Sequence, residues 1–349
     1  MSMEEQDLLR SAVREFALKS IQDRALKIEH EGIDRGLLQS LASQGFLGAR
    51  IHEKYGGSGI DLHGYLTIIN ELATFSPSVA ALVMLVNSVQ APLLGDAEPE
   101  SLKKLASGEA TVATSLSDVL EGSWTATTLQ KSGTGFKGVV EMSSLHNGEF
   151  AMALNREDGH LYLFKNGIKA LEEDSGLSFR GLSNGSLEIS SGDFTVLSQN
   201  GKEALKNIVD SLDLEVAAIG LGTAKGALDK AIEYVKVRKT FERPLKDYGP
   251  VANGLSRLMA EYLSLSSFLD TVDENDSRAK LTLKILSVDF AKRATKASLQ
   301  YHGGYGYIED TGVEKFYRDA MGLSILFQRP HHDSMRLSKE IFGEKSGYL

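Results

Sequence analysis

Two short stretches carry residue types that could hold a ligand. The first, "YHGGYGYIED" at residues 301–310, sets four ring residues and three glycines around a turn after a long amphipathic run. Glycine ends helices because it enters left-handed backbone space at little steric cost. It also lets a ligand approach the main chain where a side chain would collide. His302-Gly303-Gly304 fits both readings. The second stretch, "VRKTF" at residues 237–241, closes another amphipathic run with Arg238. A guanidinium offers a planar fork of donors matched to pyrophosphate, and it is equally at home on a solvated helix end. Glu314 and Arg318, four residues apart, read as a structural ion pair. His302, His331 and His332 invite a metal reading, but no carboxylate-rich cluster on matched elements accompanies them, and none is assigned.

The elements that must position these residues follow from periodicity. In "EEQDLLRSAVREFALKSI" and "DRGLLQSLASQGFLGARI" the apolar residues recur at helical spacing. "HEKYGGSGID" is a glycine-marked loop. "LHGYLTIINELATFSPSVAALVMLV" predicts a helix, a break at Ser76-Pro77-Ser78, and a second helix apolar nearly all round, destined for a core or a subunit contact. From Thr111 to Gly201 the texture changes to short β-rich runs, "GEFAMALN", "GHLYLFKN" and "GSLEIS", with turns expected at Asn155 to Gly159 and at Asn184-Gly185. Helix returns at Lys202. The expected fold class is therefore mostly α with a central β domain: helical over 1–110, an antiparallel β domain over 111–201, and a helical bundle over 202–349.

Composition narrows the function. A net charge of -9 argues against nucleic acid as a partner, since phosphate neutralisation needs clustered Lys and Arg. The longest purely apolar run, Val79 to Val86, is far short of the roughly 20 residues of a membrane span. The acidic start "MSMEEQDLLR" lacks a signal-type region, so a cytoplasmic protein is expected. Zero cysteines exclude disulfides, thiolate catalysis and sulfur metal sites.

The final third resembles the acyl-CoA dehydrogenase family, flavoproteins that desaturate acyl-CoA thioesters. "VAAIGLGTAKGALDKAIEYVKVRKTFERPL" matches its long helix running into Arg-x-x-Phe and a Pro-Leu turn. "QYHGGYGYIEDTGVEKFYRDAMGLSI" matches its Gln-x-x-Gly-Gly-x-Gly-Tyr loop and Val-Glu-x-x-x-Arg-Asp-Ala. "LASQGFLGARIHEKYGGSGID" is similar to its N-terminal Tyr-Gly-Gly-x-Gly region, and "LSFRGLSNGSLEIS" to its Gly-x-Arg-Gly-Ser strand pair. The resemblance implies an N-terminal helical domain, a small antiparallel β-barrel-like domain and a C-terminal four-helix bundle, assembled as a homotetramer or homodimer. It implies FAD as cofactor, an acyl-CoA substrate and an electron-transfer partner. By correspondence Arg238 meets the pyrophosphate of FAD, and Gln300, Gly303 and Gly304 lie against the adenosine and pyrophosphate end of the FAD of another subunit. Thr240 adds a hydroxyl, and Phe241 an apolar wall for the flavin nucleotide.

The sequence also departs from the family. Its usual base, a glutamate in a Tyr-Glu-Gly-Thr turn, falls on "LFQR", where Phe327 holds the position and cannot take a proton. The alternative base position on the long helix falls on Leu212, with Asp213 beside it and Glu215 further along. These acids are either base candidates or solvated residues near a helix start. The catalytic residue is left unassigned. The family's Thr-Glu-Pro-x-Ala-Gly-Ser-Asp loop is reduced to "ATSLSD", ending at Asp118. Its Trp-Ile-Thr strand is replaced by "SSLHNG", Ser143 to Gly148, and the glutamine after Arg-x-x-Phe by Gly249. Three readings stay open: an acyl-CoA dehydrogenase-type flavoenzyme with an unusual base, a non-catalytic relative serving as a partner subunit, and a flavin-dependent oxygenase on the same fold.

Overall fold

The computed structural model describes residues 3–116, 127–173, 176–327 and 329–343. Its first helices are α1 (Met3–Ser20), α2 (Ala25–Glu31), α3 (Arg35–Ser43), α4 (Leu62–Phe75), α5 (Pro77–Met84), α6 (Ala91–Leu94) and α7 (Pro99–Ala106). Eight strands follow: β1 (Val112–Ser115), β2 (Gln130–Ser132), β3 (Gly135–Ser144), β4 (Phe150–Leu154), β5 (Leu161–Phe164), β6 (Ile168–Glu173), β7 (Gly185–Ser191) and β8 (Phe194–Ser198). The remainder is α8 (Gly201–Ser211), α9 (Asp213–Val237), β9 (Lys239–Thr240), β10 (Arg243–Pro244), α10 (Gly249–Thr271), α11 (Ser277–His302), α12 (Glu314–Leu326) and α13 (Pro330–Phe342). These form two compact units, residues 1–26, 62–81 and 213–349 in one, residues 27–61 and 82–212 in the other.

The first unit is a helical bundle around α9, which is buried on nearly every face. Small residues make that burial feasible. Gly222 and Gly226 lie on the stripe of α9 that meets α4, and a Cβ on either would come within 2.2 Å of the Asn70 or Thr74 carbonyl. Asn70 completes the seam by donating its side-chain amide to the Ala218 carbonyl at 2.9 Å. Glu314 and Arg318 pair at 2.8 Å, as their spacing predicts.

The second unit contains the sheet, in the order β6-β7-β3-β1-β4-β5-β8 with β2 on the flank of β3. One pairing departs from the expected antiparallel pattern: β1 runs parallel to β4. The alternating inward residues Phe136, Tyr162 and Phe164 build an aromatic core with Phe194, with Phe136 and Tyr162 centroids 4.6 Å apart. Asn155 to Gly159 forms the β4–β5 turn as expected, with Gly159 N–H donating to the Asn155 carbonyl. Asn184-Gly185 does not form a turn. Gly185 opens β7, and Asn184 instead ties down the preceding segment by donating to the Phe179 carbonyl.

The apolar stretch near Val79 proves longer than its purely apolar run. Pro77–Ala97 is long and apolar enough to cross a membrane, yet most of it is buried inside the protein. Two of its buried amides donate internally: Asn87 to the Phe46 and Val83 carbonyls, and Gln90 to the Val112 carbonyl. Burial in protein accounts for its hydrophobicity.

The Gly222 contact yields a direct expectation. Because the obstructing atom is main chain, Gly222→Ala should destabilise the protein by about 1–3 kcal/mol, the usual cost of overpacking. A urea midpoint equal to the wild type's would show that α4 and α9 are not in this contact.

Candidate functional site

α9 delivers Arg238 as the first residue past its end, with the Arg238 N–H donating to the Tyr234 carbonyl at 2.9 Å. The chain then reverses through a two-residue hairpin in which Thr240 pairs with Arg243. Phe241 and Glu242 take the positive φ values, 49° and 64°, that such a turn requires of both central residues. Leu245 N–H returns to the Arg238 carbonyl at 2.8 Å and Tyr248 Oη donates to the Thr240 carbonyl at 2.7 Å, closing the loop on itself.

α11 ends alongside. Gly303 stands at φ 59°, ψ -136°, a conformation essentially reserved for glycine. Gly304 has no such constraint, and a Cβ on either glycine would meet nothing within 4 Å. The chain's own packing therefore does not demand glycine at 304. What glycine leaves there is bare backbone facing open space.

The Arg238 guanidinium sits 5.8 Å from the Tyr305 ring centroid, so a cation–π contact joins the two helix ends. Together they bound an open pocket of about 640 Å³. Arg238, Thr240, Gln300, Gly303 and Gly304, all singled out from sequence, line it. Phe241 does not: it occupies the hairpin tip and is 94% exposed. Arg238 is the only fully charged residue among the described lining, so the pocket favours an anion.

Tyr234, a further lining residue, escaped the sequence reading. It lies one helical turn before Arg238, the spacing that puts both on one face. Its ring stacks on His302 at 4.5 Å and 26°. His302 Nδ1 donates to the Ser298 carbonyl at 2.7 Å, and burial, aided by the Lys230 charge, lowers its pKa below the ordinary histidine value. At neutral pH it is a neutral, fixed ring that completes an aromatic wall. Four ring residues in "YHGGYGY" are the signal that could have suggested such a wall.

The proton-handling side of the resemblance is built differently. Phe327 ends α12 and is buried. The neighbouring Gln328, like Ser117 and Asp118 of the shortened loop, lies outside the described residues. Leu212 just precedes α9, and Asp213 and Glu215 open it. Neither acid is solvated, contrary to one of the two expectations: Asp213 is 3% and Glu215 8% exposed. Asp213 accepts two hydrogen bonds from Arg336, at 2.8 and 3.0 Å, and lies 3.2 Å from the buried Lys284. Lys284 also lies 3.0 Å from the buried Asp333. Two acids and two cations thus form a neutral cluster tying α9, α11 and α13. Both oxygens of Asp213 are engaged in it.

Comparison with known proteins agrees with this architecture. Residues 3–109 match the family described as "Acyl-CoA dehydrogenase, N-terminal domain", and residues 204–327 match "Acyl-CoA dehydrogenase, C-terminal domain". The chain is 27% identical to a 3-(aryl)acrylate reductase of Clostridium sporogenes, over 92% of this chain and 94% of that one. It is 28% identical to a short-chain-specific acyl-CoA dehydrogenase of Clostridium acetobutylicum, over 97% of this chain and 98% of that one. Among solved structures, butyryl-CoA dehydrogenase of Megasphaera elsdenii superposes with a TM-score of 0.82 at 21% identity, covering 98% and 99% of the two chains. A glutaryl-CoA dehydrogenase of Mycobacterium smegmatis in complex with FADH2 gives 0.84 at 17%, covering 100% and 97%. At these identities the structures speak for the fold.

The charge cluster carries its own test. Asp213→Ala leaves the buried Lys284 and the half-buried Arg336 short of a partner and should cost about 3–5 kcal/mol. A double-mutant cycle between Asp213 and Lys284, read by urea unfolding, should show strong coupling. A loss below about 1 kcal/mol, normal for a surface pair, would remove Asp213 from this structural role.

Proposed function

The chain belongs to the acyl-CoA dehydrogenase family, and we propose that it is an FAD-binding oxidoreductase acting on the Cα–Cβ bond of an acyl-CoA-type thioester. The observation that carries this reading is the convergence of Arg238, Thr240, Gln300, Gly303 and Gly304 on one pocket. The pocket fits the adenosine-pyrophosphate portion of FAD in three respects. It has the volume for a nucleotide, a guanidinium with no acid among the described lining residues, and bare backbone for close approach. Arg238 and the Gly303-Gly304 backbone would hold the pyrophosphate, with Thr240 and Gln300 as further polar contacts. When bound, FAD supplies two-electron exchange with the Cα–Cβ bond. An electron-transfer flavoprotein is the partner class this reading favours, since one relative is named a subunit of a caffeyl-CoA reductase-Etf complex.

This chain's own residues set the proton problem. Phe327 can neither take nor give a proton, and Asp213 is engaged by Arg336 and Lys284. We therefore expect weak turnover of straight-chain acyl-CoAs, because loss of a positioned base typically costs about 10²–10⁴-fold. The same two features favour a second reading, a family member that keeps its nucleotide site but serves as a partner subunit. Anaerobic addition of acyl-CoA separates the two: bleaching of the flavin supports the oxidoreductase, and an unchanged spectrum supports the partner subunit.

We propose further that the protein is a homodimer or homotetramer. Val237, Phe241 and Tyr307 are 75%, 94% and 91% exposed, and a bulky residue held at positive φ on a solvated tip is strain that an interface would justify. Light scattering at micromolar concentration should report an oligomer; a monomer would overturn this proposal.

Arg238→Ala should weaken FAD binding by about 1.5–3 kcal/mol, the usual contribution of a hydrogen bond to a charged group. Fluorescence titration measures it. Unchanged affinity would show that the pocket does not hold the cofactor.

A further inference from the structure

A second cavity, of about 460 Å³, opens in the same helical unit and shares no lining residue with the Arg238 pocket. Its walls come from α1, the start of α2, α4, α9, α12 and the turns at residues 22–23 and 310–312. Lys230 of α9 stands in that wall, half-buried, its Nζ donating to the Thr311 carbonyl at 3.1 Å. The hydrogen bond anchors the amine at the cavity instead of letting it extend into water, as lysine ordinarily does.

The charges around the amine are mixed. Asp229 and Glu233 come from its own helix, Asp310 and Lys315 from the turn before α12 and from α12 itself, and Asp23 and Arg14 from the N-terminal segment. Asp229 is held by Lys225 at 2.6 Å and Arg14 lies 3.6 Å from Glu71. Lys315 pairs with the buried Asp319 at 3.3 Å. Burial lowers the Lys230 pKa below the ordinary lysine value, the neighbouring Lys315 adds to the effect, and Glu233 opposes it. More of the amine is therefore neutral at a given pH than for an exposed lysine, and the neutral form is the nucleophile.

We propose that Lys230 is an acyl-acceptor site, modified by small acyl-CoA thioesters that reach this cavity. In the step, the Nζ lone pair attacks the thioester carbonyl and an N–C amide bond forms. The C–S bond breaks, the coenzyme A thiolate departs, and the proton released by nitrogen passes to solvent. No oxidant or reductant is needed. The product exchanges a cation for a neutral amide, which removes both the attraction to Glu233 and the repulsion from Lys315. The choice of donor rests on the proposed function; the reactivity of the amine does not.

The test treats the purified full-length protein with acetyl-CoA, and separately with p-nitrophenyl acetate, across a pH series. Acetylation at each lysine is quantified by peptide mass spectrometry. Lys230 should be modified several-fold faster than the exposed Lys246 by both reagents, with its rate levelling off at lower pH than that of Lys246. Glu233→Gln removes the charge that opposes the shift and should move that levelling-off lower still, while Lys230→Arg should lose the fast site and keep FAD affinity. Selective reaction with p-nitrophenyl acetate alone would overturn acyl-CoA as donor. Equal rates at Lys230 and Lys246 with both reagents would overturn the site itself.

Discussion

The helical unit depends on how closely α9 can approach its neighbours. A helix packed on nearly all sides must present either large interlocking side chains or almost none, and α9 takes the second course along its α4 face. Gly222 and Gly226 bring its backbone against the Asn70 and Thr74 carbonyls, and Asn70 spans the seam. Gly220 faces the Ser287 carbonyl of α11 at 3.3 Å from a would-be Cβ, so the other side is close as well. Once α9 is clamped, its two ends are fixed relative to α11. One end carries Asp213 to Lys284, and the other carries Arg238 to the Gly303-Gly304 turn.

The two ends of the bundle have different characters. At the Arg238 end, polar groups are left open: one guanidinium, exposed backbone and an aromatic wall around a wide pocket. At the Asp213 end, polar groups are closed on one another, with two acids and two cations mutually satisfied and Phe327 buried where the family resemblance expects an acid. Buried charges left unpaired are costly, whereas a neutral, well-bonded cluster is tolerated. The Arg238 end is thus open and suited to an anion, whereas the Asp213 end is closed into structure.

Much of this was legible in the sequence. The glycines of "QYHGGYG", the arginine of "VRKTF" and the break at Ser76-Pro77 mark local conformational requirements, and local requirements survive in a linear pattern. The strand runs at β4, β5 and β7 were visible for the same reason, through short apolar segments between turn residues. Partnerships across the chain were not. Nothing in the periodicity says that β1 should lie parallel to β4, since pairing direction is decided by how β2 and β3 intervene. Asp213 reads as a solvated helix-start acid because its cations, Lys284 and Arg336, are remote in sequence and meet it only in the folded bundle. Phe241, which the motif sets beside the nucleotide, lies on the exposed hairpin tip and outside the lining of the Arg238 pocket, a placement the linear pattern does not disclose.

The central claim is that the Arg238 pocket grips a flavin dinucleotide by its adenosine-pyrophosphate half. Its most direct test is a comparison of FAD with FMN as ligands of the flavin-stripped protein, by fluorescence or calorimetric titration. FMN carries the same isoalloxazine ring but lacks the adenosine monophosphate that this pocket would engage. Each lost charged hydrogen bond is worth about 1.5–3 kcal/mol, so FAD should bind more tightly by roughly tenfold or more. Equal affinities for FAD and FMN would contradict the account.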